Sequence, residues 1–96
     1  MAITKVAPFV IDPSAVLDYS IDWLAWLGED TIAASTFTAT GEPEGCLVVE
    51  SDEFTDTTTK VWVSGSAIGK ANVVNHITTL GGRQTDWTLK FTVKDV

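Results

Sequence analysis

The sequence predicts an all-β fold, an antiparallel sandwich of about seven short strands. Three observations carry this expectation. In residues 15–23, Leu17, Tyr19, Ile21 and Trp23 alternate with Val16, Asp18, Ser20 and Asp22. A period of two sends successive side chains to opposite faces of a sheet. In residues 87–93, Trp87, Leu89, Phe91 and Val93 alternate in the same way with Thr88, Lys90 and Thr92. Between these ends, Gly, Pro and Asp clusters separate short β-branched runs, and no amphipathic helix of ordinary length is visible. Strands with one apolar face bury it most simply against a second sheet. The spacing is close to that of an immunoglobulin or fibronectin type III module, so an Ig-like topology is expected, without the antibody disulfide.

Residues 1–11 are expected as an extended arm or edge strand, and residues 12–96 as a single sandwich domain. Pro8 and Pro13 hold the residues before them in extended geometry, and Asp12, Pro13 and Ser14 read as a turn. After the first strand, Leu24, Ala25, Trp26 and Leu27 run into Gly28. That is a short, partly helical crossover turn capped by the glycine. Residues 31–40 are rich in Thr and read as the next strand. Ile32 and Phe37 have opposite parity there, so both reach one face only through a bulge. Residues 41–45 are a loop, 46–50 a short strand and 51–56 an acidic turn.

Residues 57–64 place Val61 and Val63 on one face and Lys60, Trp62 and Ser64 on the other. Residues 65–69 form the following loop. Residues 71–79 turn Ala71, Val73, Ile77 and Thr79 inward. Asn75 falls on that same face and needs hydrogen-bond partners there. Residues 80–84 close a hairpin, with Gly82 supplying a positive φ. The expected core is Leu17, Tyr19, Ile21, Trp23, Val61, Val63, Val73, Ile77, Leu89, Phe91 and Val93.

Ninety-six residues support one core, and 45% of them are hydrophobic. The formal net charge of −7 argues against nucleic acid, which needs a basic face, and against an anionic membrane surface. Such acidity keeps copies soluble and apart. It leaves a basic protein partner or a divalent cation as the functional alternatives. Cys46 is the only cysteine, which excludes an intrachain disulfide and fits a reducing compartment. No signal-peptide pattern or membrane-length apolar run is visible, so synthesis in a cytoplasm is expected.

No catalytic constellation assembles. A Cys46–His76 pair would need the two side chains close together with a third group orienting the imidazole, and His76 has outward parity in its strand, beside Asn75. Two such ligands do not make a zinc site. Glu50, Asp52, Glu53 and Asp56 only faintly follow calcium-loop spacing, and the glycine of that loop is missing. Gly81, Gly82 and Arg83 are too short for a phosphate loop, and no helix follows them. No enzyme, cofactor or metal is expected. Four side chains stand out as partner-interface candidates: Trp26, Trp62, Arg83 and His76. Trp26 either plugs one end of the core or faces a partner. Arg83 either pairs with Asp86 or reaches a partner carboxylate. The edge strands carry few charges to guard them, which makes self-association an expectation.

Three blocks carry a family resemblance. The first is Asp12-Pro13-Ser14-Ala15-Val16-Leu17-Asp18-Tyr19-Ser20-Ile21-Asp22-Trp23, with Trp26-Leu27-Gly28 and Asp30-Thr31-Ile32 after it. The second is Thr57-Thr58-Thr59-Lys60-Val61-Trp62-Val63-Ser64-Gly65. The third is Asn75-His76-Ile77-Thr78-Thr79, then Gly82-Arg83 and the last strand. Together they resemble the small fiber-tail adaptor proteins of tailed bacteriophages. That family usually has Arg where His76 stands and often Ser-Ala where Leu80 and Gly81 stand.

The resemblance implies an Ig-like structural protein of the virion, made in the host cytoplasm and joining tail or neck components to fibres. Its partners would be other virion proteins, with several copies or a homo-oligomer in the assembly. It implies no catalytic residue. Two other readings stand beside it: a capsid decoration protein bound to the major capsid protein, and a carbohydrate-binding module using Trp62 and Trp87.

Overall fold

The computed structural model describes residues 9–95. Strands β1 (Phe9–Ile11), β7 (Gln84–Val93), β6 (Gly69–Thr79) and β3 (Ile32–Glu42) form one sheet in that spatial order. Strands β2 (Val16–Asp22), β5 (Thr58–Gly65) and β4 (Leu47–Phe54) form the second. A single helical turn, α1 (Leu24–Leu27), carries the chain from β2 to β3. Counted along the chain, the orders β2-β5-β4 and β3-β6-β7 are those of the B-E-D and C-F-G strands of an immunoglobulin sandwich. All pairings are antiparallel except β1 with β7, which is parallel. The expected arm or edge strand over residues 1–11 is seen only in its last three residues, as β1. Residues 1–8 lie outside the described residues.

Two bulges reconcile the sequence pattern with the sheets. The register of β3 on β6 shifts between Ile32 and Ala34, which reverses the parity of the strand. Ile32 is thereby buried, and Ser35, Phe37, Ala39 and Gly41 also turn inward. A second shift, between Val49 and Ser51, lets β4 continue to Phe54. The acidic turn expected over residues 51–56 is therefore mostly strand, and only residues 55–57 turn. An edge strand with both faces in water needs no apolar alternation, so these four exposed residues resemble a loop in composition.

The core is built from the inner faces of both sheets. Ile21, Trp23, Val61, Val63, Val73, Ile77, Leu89, Phe91 and Val93 are buried, together with Ile11, Leu27, Ile32, Cys46 and Leu47. Leu17 corrects the expectation: it is 43% exposed. It has inward parity opposite Val63, but β2 is a sheet edge and Leu17 is its second residue, so one flank has no covering strand. Tyr19 is half-buried and belongs to an aromatic triangle that ties the two sheets together. Its ring lies 4.7 Å from Phe9 and 5.0 Å from Phe91, and Phe9 and Phe91 are 5.4 Å apart.

Asn75, which the inward pattern of β6 places in the core, is fully buried and fully partnered. Its Oδ1 accepts from Thr59 Oγ1 (2.7 Å) and Trp23 Nε1 (3.3 Å). Its Nδ2 donates to Ser35 Oγ (2.9 Å) and to the Thr36 carbonyl (3.0 Å). One amide thus links β3, β5, β6 and the start of α1 through the centre of the sandwich.

Candidate partner interface

The connections β2–β3, β4–β5 and β6–β7 meet at one end of the sandwich, and hydrogen bonds knit them together. Trp23 N donates to Thr57 O (2.9 Å), Ile32 N to Asp56 O (2.9 Å) and Leu80 N to Thr31 O (3.0 Å). Gly28 ends α1 with φ at 66°, a left-handed conformation that suits glycine. The chain then delivers Asp30 to the tip of the β6–β7 hairpin.

Asp30 and Arg83 form the latch of this end. Asp30 Oδ1 accepts from the amides of Thr31 (2.9 Å) and Gly81 (3.0 Å), and its Oδ2 pairs with Arg83 Nε (3.2 Å). A Cβ at Gly81 would stand 2.7 Å from Asp30 Oδ2, so glycine is what lets the hairpin approach. Arg83 also donates from Nη2 to Leu27 O (2.8 Å) and from Nη1 to Trp26 O (3.4 Å), taking up carbonyls at the end of α1. Its guanidinium lies 4.4 Å from the centre of the Trp26 ring. Trp26 in turn packs edge-on against Trp23 at 5.7 Å. The pairing expected between Arg83 and Asp86 is not formed, because Asp30 reaches Arg83 from across the fold and Asp86 is taken by His76.

The Thr79 hydroxyl first, against the opposing effect of desolvation, and then the Thr31 and Gly81 amides and Arg83 hold the Asp30 carboxyl down at about 2. A folded-state value below the unfolded one gives stability that is present above about pH 4 and lost as pH falls further. The thermal midpoint should therefore fall below about pH 4 more steeply in the native chain than in Asp30→Asn. Parallel midpoint curves for the two proteins between pH 5 and pH 2 would remove this role for Asp30.

Of the four interface candidates, the structure brings together only Trp26 and Arg83. Trp62 lies on the outer face of the three-stranded sheet, opposite Asp18, with the Lys60 ammonium 5.6 Å from its ring and 3.5 Å from the Asp18 carboxylate. His76 lies on the outer face of the other sheet. Its Nδ1 is 2.5 Å from Asp86 Oδ1 and its Nε2 is 3.0 Å from Gln84 Oε1. Only the imidazolium can donate to both, and Asp86 first, then Gln84, raise its pKa. Trp87 pairs with Asn75 on the inner face and packs on the core, so it forms no aromatic platform with Trp62.

Sequence reasoning did not single out Leu24 and Leu80, which are 54% and 76% exposed on the latched end. The available signal was Leu80 itself, an aliphatic residue at a hairpin tip where a polar one is usual. Among the described residues, no group of three or more His, Cys, Asp or Glu could hold a metal ion. No helix there is long and apolar enough to cross a membrane.

The family model of the podophage GP4 fiber-tail adaptor protein gp77 matches residues 12–92. The chain belongs to this family. The match runs from the turn before β2 almost to the end of β7, so it spans both sheets and the latched end. None of the curated proteins matches the chain. Membership in the fiber-tail adaptor family gives the protein a phage tail-associated structural role as a component of the virion. It points to assembly rather than catalysis.

Proposed function

We propose that this fiber-tail adaptor joins tail or neck components to fibres, and that it docks through the latched end of its sandwich. The observation that carries the reading is two exposed leucines, Leu24 on α1 and Leu80 on the β6–β7 hairpin, in segments that Asp30 and Arg83 hold in place. Exposed aliphatic side chains on a preordered frame suit a protein partner, because little loop freedom is lost on docking. Trp26, stacked between Arg83 and Trp23, supports the frame. Several copies per particle fit such a joint.

The test is incorporation into particles. Leu24→Asp/Leu80→Asp should keep the thermal midpoint, since both side chains already face water, and should be lost from assembled virions. Quantitative mass spectrometry of purified particles reads both the loss and the native copy number. A handful to a few dozen native copies is the expected result. Normal incorporation of the double variant would sink the docking end. A native ratio near one copy per major capsid subunit would replace the adaptor role with capsid decoration.

A further inference from the structure

Cross-strand rows build the outer face of the three-stranded sheet. Val16, Ser64 and Val48 form one row, Asp18, Trp62 and Ser51 the next, and Ser20, Lys60 and Glu53 the one after. Val16 and Val48 are 55% and 41% exposed, and Trp62 stands beside them on the central strand of the sheet. A large aromatic flanked by exposed aliphatic side chains has the composition of an interface centre rather than of a solvated face. This apolar part lies toward the end of the sandwich away from the latch, since β5 leaves the latched end at Thr58 and reaches Ser64 at the other.

Charge decides what can dock there. Asp18, Asp22, Glu50 and Glu53 stand on this face against a single cation, Lys60. Glu50, at the β4 bulge, reaches over the face to accept a hydrogen bond from Ser64 Oγ (2.5 Å). Lys60 is held by Asp18 (3.5 Å), with its ammonium 5.6 Å from the centre of the Trp62 ring, so a cation already rests by the indole. The outer face of the larger sheet is not acidic: Glu42 and Asp86 stand there against Lys70, Lys90 and His76. The excess of carboxylates on the two sheet faces thus falls on the one that carries Trp62. Two copies meeting through it would bring like charges together, which weakens association. A basic surface would meet attraction.

We infer that this face docks a second virion protein through a surface that carries arginine among small aliphatic side chains. Arginine meets both halves of the site, because its guanidinium stacks on an aromatic ring and takes a carboxylate through paired N–H groups. Trp62 supplies the ring, and Glu50 and Glu53 supply the acceptors beside it. Val16 and Val48 receive the aliphatic neighbours of the arginine. The inference rests on the adaptor reading for one point, that the partner is a virion protein. A joint needs two docking surfaces, and this face is separate from the latched end.

The test uses the isotope-labelled full chain and a peptide of alternating arginine and valine, with an alternating glutamate–valine peptide as control. Nuclear magnetic resonance follows the indole N–H signals, and Trp62→Phe assigns the one that belongs to Trp62. The arginine peptide should shift the Trp62 indole and the Val16 and Val48 amides, and leave the buried Trp23 indole and the outer face of the larger sheet unchanged. Glu50→Lys/Glu53→Lys, both exposed on an edge strand, should weaken its binding about tenfold or more. No shift at Trp62, equal shifts with the glutamate peptide, shifts spread evenly over the outer faces of both sheets, or undiminished binding to the Glu50/Glu53 variant would overturn the inference. A Trp62 shift that grows with protein concentration alone would make a second copy the occupant. One produced by a soluble glucan oligosaccharide and not by the peptide would make the face a carbohydrate platform. Either result overturns the inference as well. None of these results touches incorporation of the Leu24/Leu80 variant into particles, so the two readings fail separately.

Discussion

Replacing Trp23 by alanine should lower the free energy of unfolding by about 3–5 kcal/mol, the range for deleting a large aromatic from a core. Trp23 is fully buried at the junction of β2 and α1. Its ring carries Trp26, and through Trp26 the Arg83 latch. Its Nε1 donates to Thr59 Oγ1 (3.1 Å) and to Asn75 Oδ1 (3.3 Å). A domain of this size has only about 5–15 kcal/mol in hand, so the loss is a large fraction of its stability. Trp23→Phe should lose less, because it keeps one aromatic ring in the core while giving up the donor and the second ring of the indole. Urea denaturation of both variants measures this. A loss under about 1 kcal/mol for the alanine variant would mean that the indole does not organise the core.

Asn75→Leu should cost about 3 kcal/mol, despite placing an apolar residue of similar size in an apolar core. The cost comes from the partners left behind. An orphaned buried polar group is worth about 1–3 kcal/mol. The Thr36 carbonyl loses its Asn75 donor, and Thr59 and Trp23 lose their shared acceptor. Thr59 and Trp23 still have each other, so the sum stays below three full penalties. A double-mutant cycle with Thr59→Val isolates the network. Effects that add to within about 0.5 kcal/mol would show that the two residues act independently.

The strands were legible because period-two alternation survives in β2, β5, β6 and β7, each of which has one face on the core. The sequence also flagged that Asn75 needs partners and that Ile32 and Phe37 could share a face of β3 only through a bulge. It could not say which partners, since Trp23, Thr59, Ser35 and Thr36 come from four segments whose meeting is a matter of topology. The end of β4 was illegible for a different reason: an edge strand exposed on both faces has the composition of a loop. Leu17 shows the converse, a residue with the right parity on a strand too peripheral to be covered. The partner surface was the least legible part. Trp26 and Arg83 stood out as side chains in want of a partner, yet each satisfies the other. Leu24 and Leu80, both exposed on that end, lie in segments with no periodic pattern to mark them. Arg83 reaches Asp30 across fifty-three residues of chain, a pairing that local spacing does not reveal.

The parallel pairing of β1 with β7 bears on how the molecule carries tension. Phe9, Val10 and Ile11 lie beside Phe91, Thr92 and Val93, and Lys94 N closes the ladder on Ile11 O at 3.0 Å. A force that draws Phe9 and Val93 apart along the strand axis pulls the two strands in opposite directions along their length. Every hydrogen bond between them is then strained together, in shear, rather than opened one after another like a zip. The Phe9–Tyr19–Phe91 cluster lies across the same seam and must slide with it. A three-residue strand that adds little area to the sheet thus sits where a pull on the chain is first resisted.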